Sequence, residues 1–422
     1  MPTSTSPLAQ PLTLPCGAVL RNRIAKSAMS EDLADVGNIP GERLFRVYQR
    51  WGAGGAGLLI SGNIMVDRAA LGEPGNVAVE SDADLSALTK LAQSATMDAF
   101  GHPTGTAMWA QINHPGRQAP RFLVPKPVAP SAVPLTLPGA IFAAPRALTA
   151  EEIPAIIARF ARTAALCKRA GYTGVQIHAA HGYLVSQFLS PLSNLRDDAW
   201  GGDAVRRRRF LVEIVRAIRA AVGPAFPIGV KLNSADFQRG GFDEEESMDV
   251  VAALEAEGID LLEISGGTYE KPATSGTIEA TRASTLAREA YFLTYARKVR
   301  THTRLPLLLT GGFRSRSGME SALSEQVGTQ ADERAGAVDM IGLARPFALE
   351  PEIARGLLDG TVTESRVQPR RTGVNQIDGF LEITWYTFQI HRIGAGKDPL
   401  PDVSPWRVFA DMGSRTLFRT RR

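Results

Sequence analysis

Cysteine and long apolar runs are what this 422-residue chain has least of. Only Cys16 and Cys167 are present, far apart in sequence, so cysteine supplies neither a disulfide framework nor the four thiolates of a zinc or iron–sulfur site. No stretch approaches the roughly 18 uninterrupted apolar residues of a membrane-spanning helix, and residues 1–15 lack the basic, then apolar, pattern of a secretory signal. We therefore expect a cytoplasmic protein with no membrane partner, in which any redox chemistry comes from an organic cofactor.

An excess of charge of one sign is also missing. The chain has 47 Lys and Arg against 43 Asp and Glu, a net charge of +4. Its densest basic run, residues 206–209, leads directly into an apolar helical pattern, which predicts the start of a helix with a solvated face rather than a nucleic-acid surface. No Gly-, Ser- or Pro-rich linker divides the chain, so we expect one domain over residues 1–422.

Eight short apolar runs are present, most of them followed by a helical pattern. Strands that alternate with helices predict an α/β fold, and eight such units with nearly continuous apolar strands predict a closed (β/α)8 TIM barrel. The runs lie at residues 24–29, 57–61, 104–112, 173–178, 228–232, 259–265, 305–310 and 337–343.

The chain is longer than the barrel needs. A (β/α)8 barrel takes about 250 residues, so we place it at about residues 20–360, with a C-terminal extension over about 361–422. Residues 115–145 are rich in proline and fit neither the helical nor the strand period. They predict a long loop after strand 3, of the kind that usually covers an active site.

Two imidazoles and a phenol follow the fourth predicted strand: His178, His181 and Tyr183. Such groups can hold a substrate oxygen and transfer a proton. Two alternatives stay open from the residues alone. A metal site would need a third ligand, yet no Asp, Glu or Cys follows before Asp197, and a structural histidine beside a solvated one would carry no chemistry.

Other strand exits also carry polar residues or glycine, and in a barrel the carboxyl ends of all strands meet on one face. Turns after strands 7 and 8 often bind phosphate through backbone N–H groups. A Gly-Gly turn alone is weak evidence, because many left-handed turns use glycine. The candidates are Ser27 to Ser30, Gly62, Gln111, Lys231 with Asn233, Gly311-Gly312 and Ala344-Arg345.

Residues 178–202 resemble the signature of the Old Yellow Enzyme, or NADH:flavin oxidoreductase, family. Residues 20–29, 111–117, 230–237 and 339–346 extend the similarity, which covers about residues 10–350 in the family's motif order. The resemblance implies an FMN-binding (β/α)8 barrel. It also implies an oxidoreductase that uses NADPH or NADH to reduce activated C=C bonds, those of enones and of nitroalkenes, by hydride transfer from FMN N5.

The resemblance assigns flavin-binding roles to the strand exits. Lys231 matches the basic position beside flavin N1 and the C2 carbonyl, where a cation stabilises the charge that reduction places there. One set would lie along the flavin ring: Ser27, Ala28, Met29, Ser30, Gly62 and Gln111. A second set would hold the phosphate: Gly312, Phe313, Ala344 and Arg345.

The resemblance also implies roles for the cluster after strand 4. His178 and His181 would bind the carbonyl or nitro oxygen of the alkene and draw charge from its double bond. Tyr183 matches the family's proton donor, and a phenol, with an ordinary pKa of about 10, keeps its proton at neutral pH. The expected partner is a small-molecule alkene and not a nucleic acid, and a homo-oligomer is left open.

The chain departs from the family pattern at several positions. Ala28 stands where many members carry proline, Ser30 where others carry threonine or cysteine, and Ala344 where glycine is common. Three alternatives to the ene-reductase remain. One is a dehydrogenase or demethylase of the same family, another is a barrel aldolase that forms a Schiff base on Lys231, and the third is a flavin-binding protein without turnover.

Overall fold

A closed barrel of eight parallel strands forms the centre of the molecule. The computed structural model describes residues 6–98, 100–135, 137, 141–266, 292–327, 336–368 and 375–408, with backbone alone for 375–380. Every barrel strand overlaps one of the eight predicted runs, so the predicted (β/α)8 barrel is confirmed. The strands are β1 (Ile24–Lys26), β2 (Leu58–Met65), β3 (Ala107–Asn113), β4 (Gly174–Ala179), β5 (Ile228–Asn233), β6 (Leu261–Ser265), β7 (Leu307–Thr310) and β8 (Met340–Leu343).

The barrel closes where its last strand pairs with its first. Ile341 of β8 lies opposite Ile24 of β1, and β1 continues the sheet to β2 through Ala25 and Leu58. Strands β4, β5 and β6 are buried along their whole length, because helices cover one face and the barrel interior covers the other. This two-sided burial explains why the strands are continuously apolar in sequence rather than alternating.

Helices surround the strands, and amphipathic segments of the sequence form them. Asp203 begins the longest helix of the barrel layer, since its side chain accepts a hydrogen bond from the Arg206 backbone N–H at 2.8 Å, as an N-cap does. The described helices are α1 (Glu42–Ala53), α2 (Leu85–Thr96), α3 (Glu152–Arg169), α4 (Leu184–Leu189), α5 (Ala204–Val222), α6 (Glu244–Ala256), α7 (Leu293–Arg300), α8 (Arg316–Ser324), α9 (Arg345–Leu349), α10 (Ile353–Asp359) and α11 (Asn375–Gly394).

The basic run at residues 206–209 lies in the first turns of α5, as predicted. One of its members is not solvated, however. Arg207 is buried and pairs with Glu246 of α6, because that face of α5 packs against the neighbouring helix. The predicted helix start is therefore confirmed, and Arg207 is the member of the run that faces a neighbouring helix rather than solvent.

A short hairpin closes the amino end of the barrel. Leu12–Thr13 pairs antiparallel with Val19–Leu20, and its apolar residues pack with Leu58, Trp109 and Leu308 inside the barrel. Apolar packing fills this mouth, so the polar strand exits at the opposite, carboxyl end are left to form a site.

The longest element in the described part of the C-terminal extension is the helix α11, which packs against α1. Trp385 is fully buried and its Nε1 donates to the Val403 carbonyl at 2.9 Å. His391 Nε2 lies 2.9 Å from the backbone carbonyl of Glu31, just after β1. The extension thus reaches back to the first strand exit. Among the residues that are described, no helix is long and apolar enough to cross a membrane.

Candidate active site

The structure brings His178, His181 and Tyr183 together at the carboxyl end of β4. The His178 and His181 ring centroids are 5.1 Å apart at an interplanar angle of 84°. The His178 and Tyr183 centroids are 4.8 Å apart at 68°. All three side chains are largely buried, with Tyr183 7% exposed and His178 3% exposed. The predicted cluster therefore exists as one compact group.

A left-handed turn makes this cluster possible. His181 has φ of +61° and Gly182 has φ of +78°, a conformation that is uncommon for a residue with a side chain. Two contacts hold His181 there: its backbone N–H donates to Asn233 Oδ1 at 3.2 Å, and its carbonyl accepts from Gln118 Nε2 at 3.0 Å. Gln118 belongs to the proline-rich loop after β3, so the described part of that loop lies beside the cluster.

Both histidines are neutral at physiological pH. Burial lowers the pKa of His178 well below its ordinary value, with further lowering by His181 and Lys231. Burial, then Lys231, lowers the pKa of His181 to about 3. The Ala180 N–H donates to His178 Nδ1 at 3.3 Å, so the single proton of His178 resides on Nε2. A neutral imidazole of this kind is a hydrogen-bond donor that carries no charge.

Lys231 lies beside this cluster but is not an isolated cation. Its Nζ is 3.0 Å from Oε1 of Glu263 on β6, and both side chains are buried. The Lys231 amine is thus engaged by a carboxylate, whereas a Schiff-base lysine must be free to attack a carbonyl carbon. The arrangement argues against the aldolase alternative.

The exits of β1, β2 and β3 form a second side of the site. Ala28, Met29 and Ser30 are partly exposed after the buried Ser27. Gly62 cannot carry a side chain, because a Cβ there would lie 2.4 Å from the Met29 carbonyl and 2.0 Å from a Glu31 oxygen.

Gln111 lies on the same side. It is 2% exposed, and its Nε2 donates to Gln176 Oε1 on β4 at 2.7 Å. The Gln111 amide is therefore already tied to a neighbouring strand within the barrel.

The exits of β7 and β8 form the third side. Gly311 and Gly312 have φ of +136° and +88°, backbone conformations that favour glycine. Phe313 after it is buried. Ala344 precedes α9, and Arg345 Nη2 lies 3.2 Å from Glu382 Oε2 of α11. This end is built mainly from backbone.

Sequence reasoning missed several residues of the site. Glu263, Gln176 and Lys26 are buried polar residues within apolar strands, which was a signal that could have found them. Glu382 and Tyr386 of α11 contact Arg345, Tyr386 with its ring centroid 5.6 Å from the guanidinium. Nothing in the local sequence marks Tyr386 or Glu382 for this contact.

Comparison with known proteins identifies the chain's relatives. The sequence profile of the NADH:flavin oxidoreductase / NADH oxidase family matches residues 7–364. The chain belongs to this family. It is 38% identical over 374 residues to the NADH-dependent flavin oxidoreductase iliE of Hypocrea jecorina, with 82% of this chain and 88% of that protein covered. It is 36% identical over 406 residues to nadA, a protein of the same description from Aspergillus parasiticus, with 94% and 87% covered.

Solved structures agree with this membership. A 2-naphthoyl-CoA reductase complex superposes with a TM-score of 0.74 at 26% identity, covering 84% of this chain and 52% of that one. An old yellow enzyme homologue from Zymomonas mobilis superposes with a TM-score of 0.69 at 25% identity, covering 85% and 94%. This member of the NADH:flavin oxidoreductase family is thus an FMN-dependent oxidoreductase with NADH or NADPH as reductant.

The residues at the carboxyl face fit FMN. A planar ring needs a wall of small or unbranched residues, which the partly exposed Ala28, Met29 and Ser30 offer after β1. The ring's polar edge needs buried hydrogen-bonding groups, which Gln111 and Lys231 supply. A phosphate needs N–H donors and a cation, which the Gly311-Gly312 turn and Arg345 supply. The individual assignments within this site stay predictions.

Proposed function

We propose that this flavin oxidoreductase reduces activated C=C bonds, with an α,β-unsaturated carbonyl compound as substrate. The observation that carries the proposal is the convergence of two neutral imidazoles, one buried and one partly buried, and one buried phenol over the carboxyl end of β4. These groups suit a C=C bond that is conjugated with a carbonyl group. Reduction of such a bond requires that the carbonyl oxygen be polarised and that the α carbon be protonated.

The histidines bind the substrate oxygen. A carbonyl or nitro oxygen gains negative charge as its conjugated double bond is reduced, and N–H donors held in place stabilise that charge. Because the protein already holds His178 and His181, little reorganisation is needed when the charge develops. Their neutrality also keeps this function independent of pH near 7.

Tyr183 supplies the proton. FMN, held by the residues of the other strand exits, would supply the hydride that the β carbon of the alkene accepts. Tyr183, held against the His178 ring at 4.8 Å between centroids, gives its phenolic proton to the α carbon. Water has little access to this phenol because the side chain is 7% exposed.

The names of two solved neighbours support an unsaturated carbonyl substrate. One is a 2-naphthoyl-CoA reductase in complex with 2-naphthoyl-CoA, a thioester whose carbonyl is conjugated with a ring. Another is morphinone reductase. We take the same class of acceptor as the substrate of this chain.

Stopped-flow measurement of the two half-reactions tests the proposal. NADH or NADPH should bleach the flavin absorbance, and anaerobic 2-cyclohexenone should restore it, with solvent deuterium found at the α carbon of the product. If enones and nitroalkenes leave the reduced flavin unchanged, the proposal is refuted. Flavin reduction by an amine or alcohol in place of NAD(P)H would indicate the dehydrogenase or demethylase alternative.

A further inference from the structure

A continuous chain of buried polar side chains crosses the barrel beneath the site, with Glu263 at its centre. Glu263 is completely buried on β6. Its Oε1 lies 3.0 Å from Lys231 Nζ and accepts from Thr310 Oγ1 at 2.7 Å. Its Oε2 accepts from Gln176 Nε2 at 2.7 Å. The chain continues to both sides of the predicted flavin site, through Gln176 on one side and Thr310 on the other.

A carboxylate fixes the direction of every hydrogen bond in this chain, because it can only accept. Gln176 must turn its NH2 group towards Glu263, which leaves its Oε1 for Gln111. Gln111 must then turn its own NH2 group towards Gln176, at 2.7 Å. The amide oxygen of Gln111 is thereby kept for another partner.

The same argument holds on the other side. Thr310 has one hydroxyl proton, and it goes to Glu263. Thr310 must therefore accept from Ser27, whose Oγ lies 2.6 Å away. The proton of Ser27 is committed, and its oxygen lone pairs remain available. One carboxylate thus decides which polar atoms of Gln111 and Ser27 are presented to a ligand.

Glu263 also limits the positive charge of Lys231. An ammonium and a carboxylate 3.0 Å apart in a buried site largely cancel each other's field at a distance. A flavin edge next to Lys231 therefore meets an ion pair rather than a bare cation. Without Glu263, the same lysine would favour the reduced, more negatively charged flavin more strongly.

We infer that Glu263 is a positioning residue that sets the reduction potential of the flavin, through the charge balance of Lys231 and the orientation of the Gln111 and Ser27 side chains. The inference rests on the flavin placement used in the proposed function. It does not depend on which alkene is reduced.

The decisive variant is Glu263→Gln, measured by redox titration of the bound FMN against a reference dye. We expect the potential to become more positive by about 30 mV or more, which for a two-electron couple is a tenfold change in the ratio of oxidised and reduced FMN affinities. An unchanged potential would overturn the inference.

Asp260→Asn is the matched control. Asp260 is a buried carboxylate just before the same strand, 2.8 Å from Arg219 Nη2, but at the opposite end of the barrel. Its loss should lower thermal stability and leave the potential where it is. Equal shifts in both variants would mean a general loosening of the barrel and would also overturn the inference.

Gln176→Leu provides a second test. If Glu263→Gln does not fold, this variant alone still tests the inference. This change keeps the Lys231 and Glu263 pair but cuts the connection to Gln111. We expect FMN affinity, measured by flavin fluorescence, to fall about tenfold, with a changed ¹⁵N chemical shift at N3 of labelled FMN. If affinity and chemical shift both match the unaltered protein, the orienting role is disproved. Enone turnover is not read in any of these tests, so failure of the proposed substrate would show separately.

Discussion

The two ends of the candidate site are built from different materials. At the β4 end, uncharged side chains supply the reacting groups. His178 and Tyr183 are buried, His181 is partly buried, and the His181 backbone N–H is held by Asn233 of β5. At the β7 and β8 end, the Gly311-Gly312 turn contributes backbone, and the partly exposed Arg345 contributes a charged side chain that pairs with Glu382.

This difference assigns the reaction to the β4 end of the site and FMN binding to the β7 and β8 end. Buried side chains with set protonation can act on charge that develops during a reaction. A glycine turn with an arginine can hold an anion, which has the same charge before and after the reaction. Changes at the first end should therefore alter rates, and changes at the second end should alter only how tightly FMN is held.

Tyr183→Phe tests the first end and should have the largest effect. Loss of a positioned proton donor typically costs 10²- to 10⁴-fold, so reoxidation of reduced FMN by 2-cyclohexenone should slow by about that factor. Reduction of FMN by NADH should keep its rate. Tyr295→Phe is the control, since Tyr295 is equally buried but bonds to Ser247 outside the cluster. Unchanged enone turnover in Tyr183→Phe would remove Tyr183 from the mechanism.

Arg345→Met tests the second end. A charge-assisted hydrogen bond contributes about 1.5–3 kcal/mol, so FMN affinity should fall roughly 10- to 100-fold in a fluorescence titration. The reduction potential should not change. Glu382→Gln should act in the opposite direction and tighten FMN binding, because it removes the carboxylate that now pairs with Arg345. A shifted potential in Arg345→Met would contradict the division between the two ends.

Replacing His178 and His181 by alanine, singly, sharpens the comparison. Each variant loses one neutral N–H donor, worth about 1 kcal/mol, so phenol binding should weaken several-fold. The double variant should lose the long-wavelength charge-transfer band that phenols give with oxidised FMN. His302→Ala, at an exposed position on the outer surface, should keep the band. A band retained in the double variant would refute the oxygen-binding role.

The smallest expected effect is that of pH on phenol binding. Between pH 6 and 8 the affinity should not change, because the pKa of His181 is about 3 and that of His178 is also far below 6.5.

The free energy of unfolding, by contrast, should depend on pH. A histidine in the unfolded chain has a pKa of about 6.5. Below that pH the unfolded chain binds protons that His178 and His181 do not bind in the folded protein. The stability they contribute is therefore complete above pH 6.5 and is lost as pH falls.

The pH effect on stability can be measured by urea unfolding. Each such histidine should lower the free energy of unfolding by about 1.4 kcal/mol per pH unit below 6.5. His114, whose pKa burial lowers to about 4, should add to this slope. His181→Gln should reduce this slope by the contribution of one histidine, about 1.4 kcal/mol per pH unit. An unaltered slope would mean that His181 is not neutral in the folded protein.

Much of the fold and part of the site could be predicted from sequence. The eight strands were found because each is a short apolar run, and burial on both faces is a property of the run itself. The His178, His181 and Tyr183 cluster was found because its members lie within six residues of one another at a strand exit. The charge state of the histidines could not be found, since it depends on burial by distant parts of the chain.

The sequence by itself determined the order of strands and helices and the residues available at each strand exit, because apolar periodicity and turn residues act locally. Only the tertiary structure decided which polar side chains form hydrogen bonds with one another. Gln111 meets Gln176 across 65 residues, Gln176 meets Glu263 across 87, and His391 meets Glu31 across 360. Such pairs depend on strand register and on closure of the barrel, which no local pattern encodes.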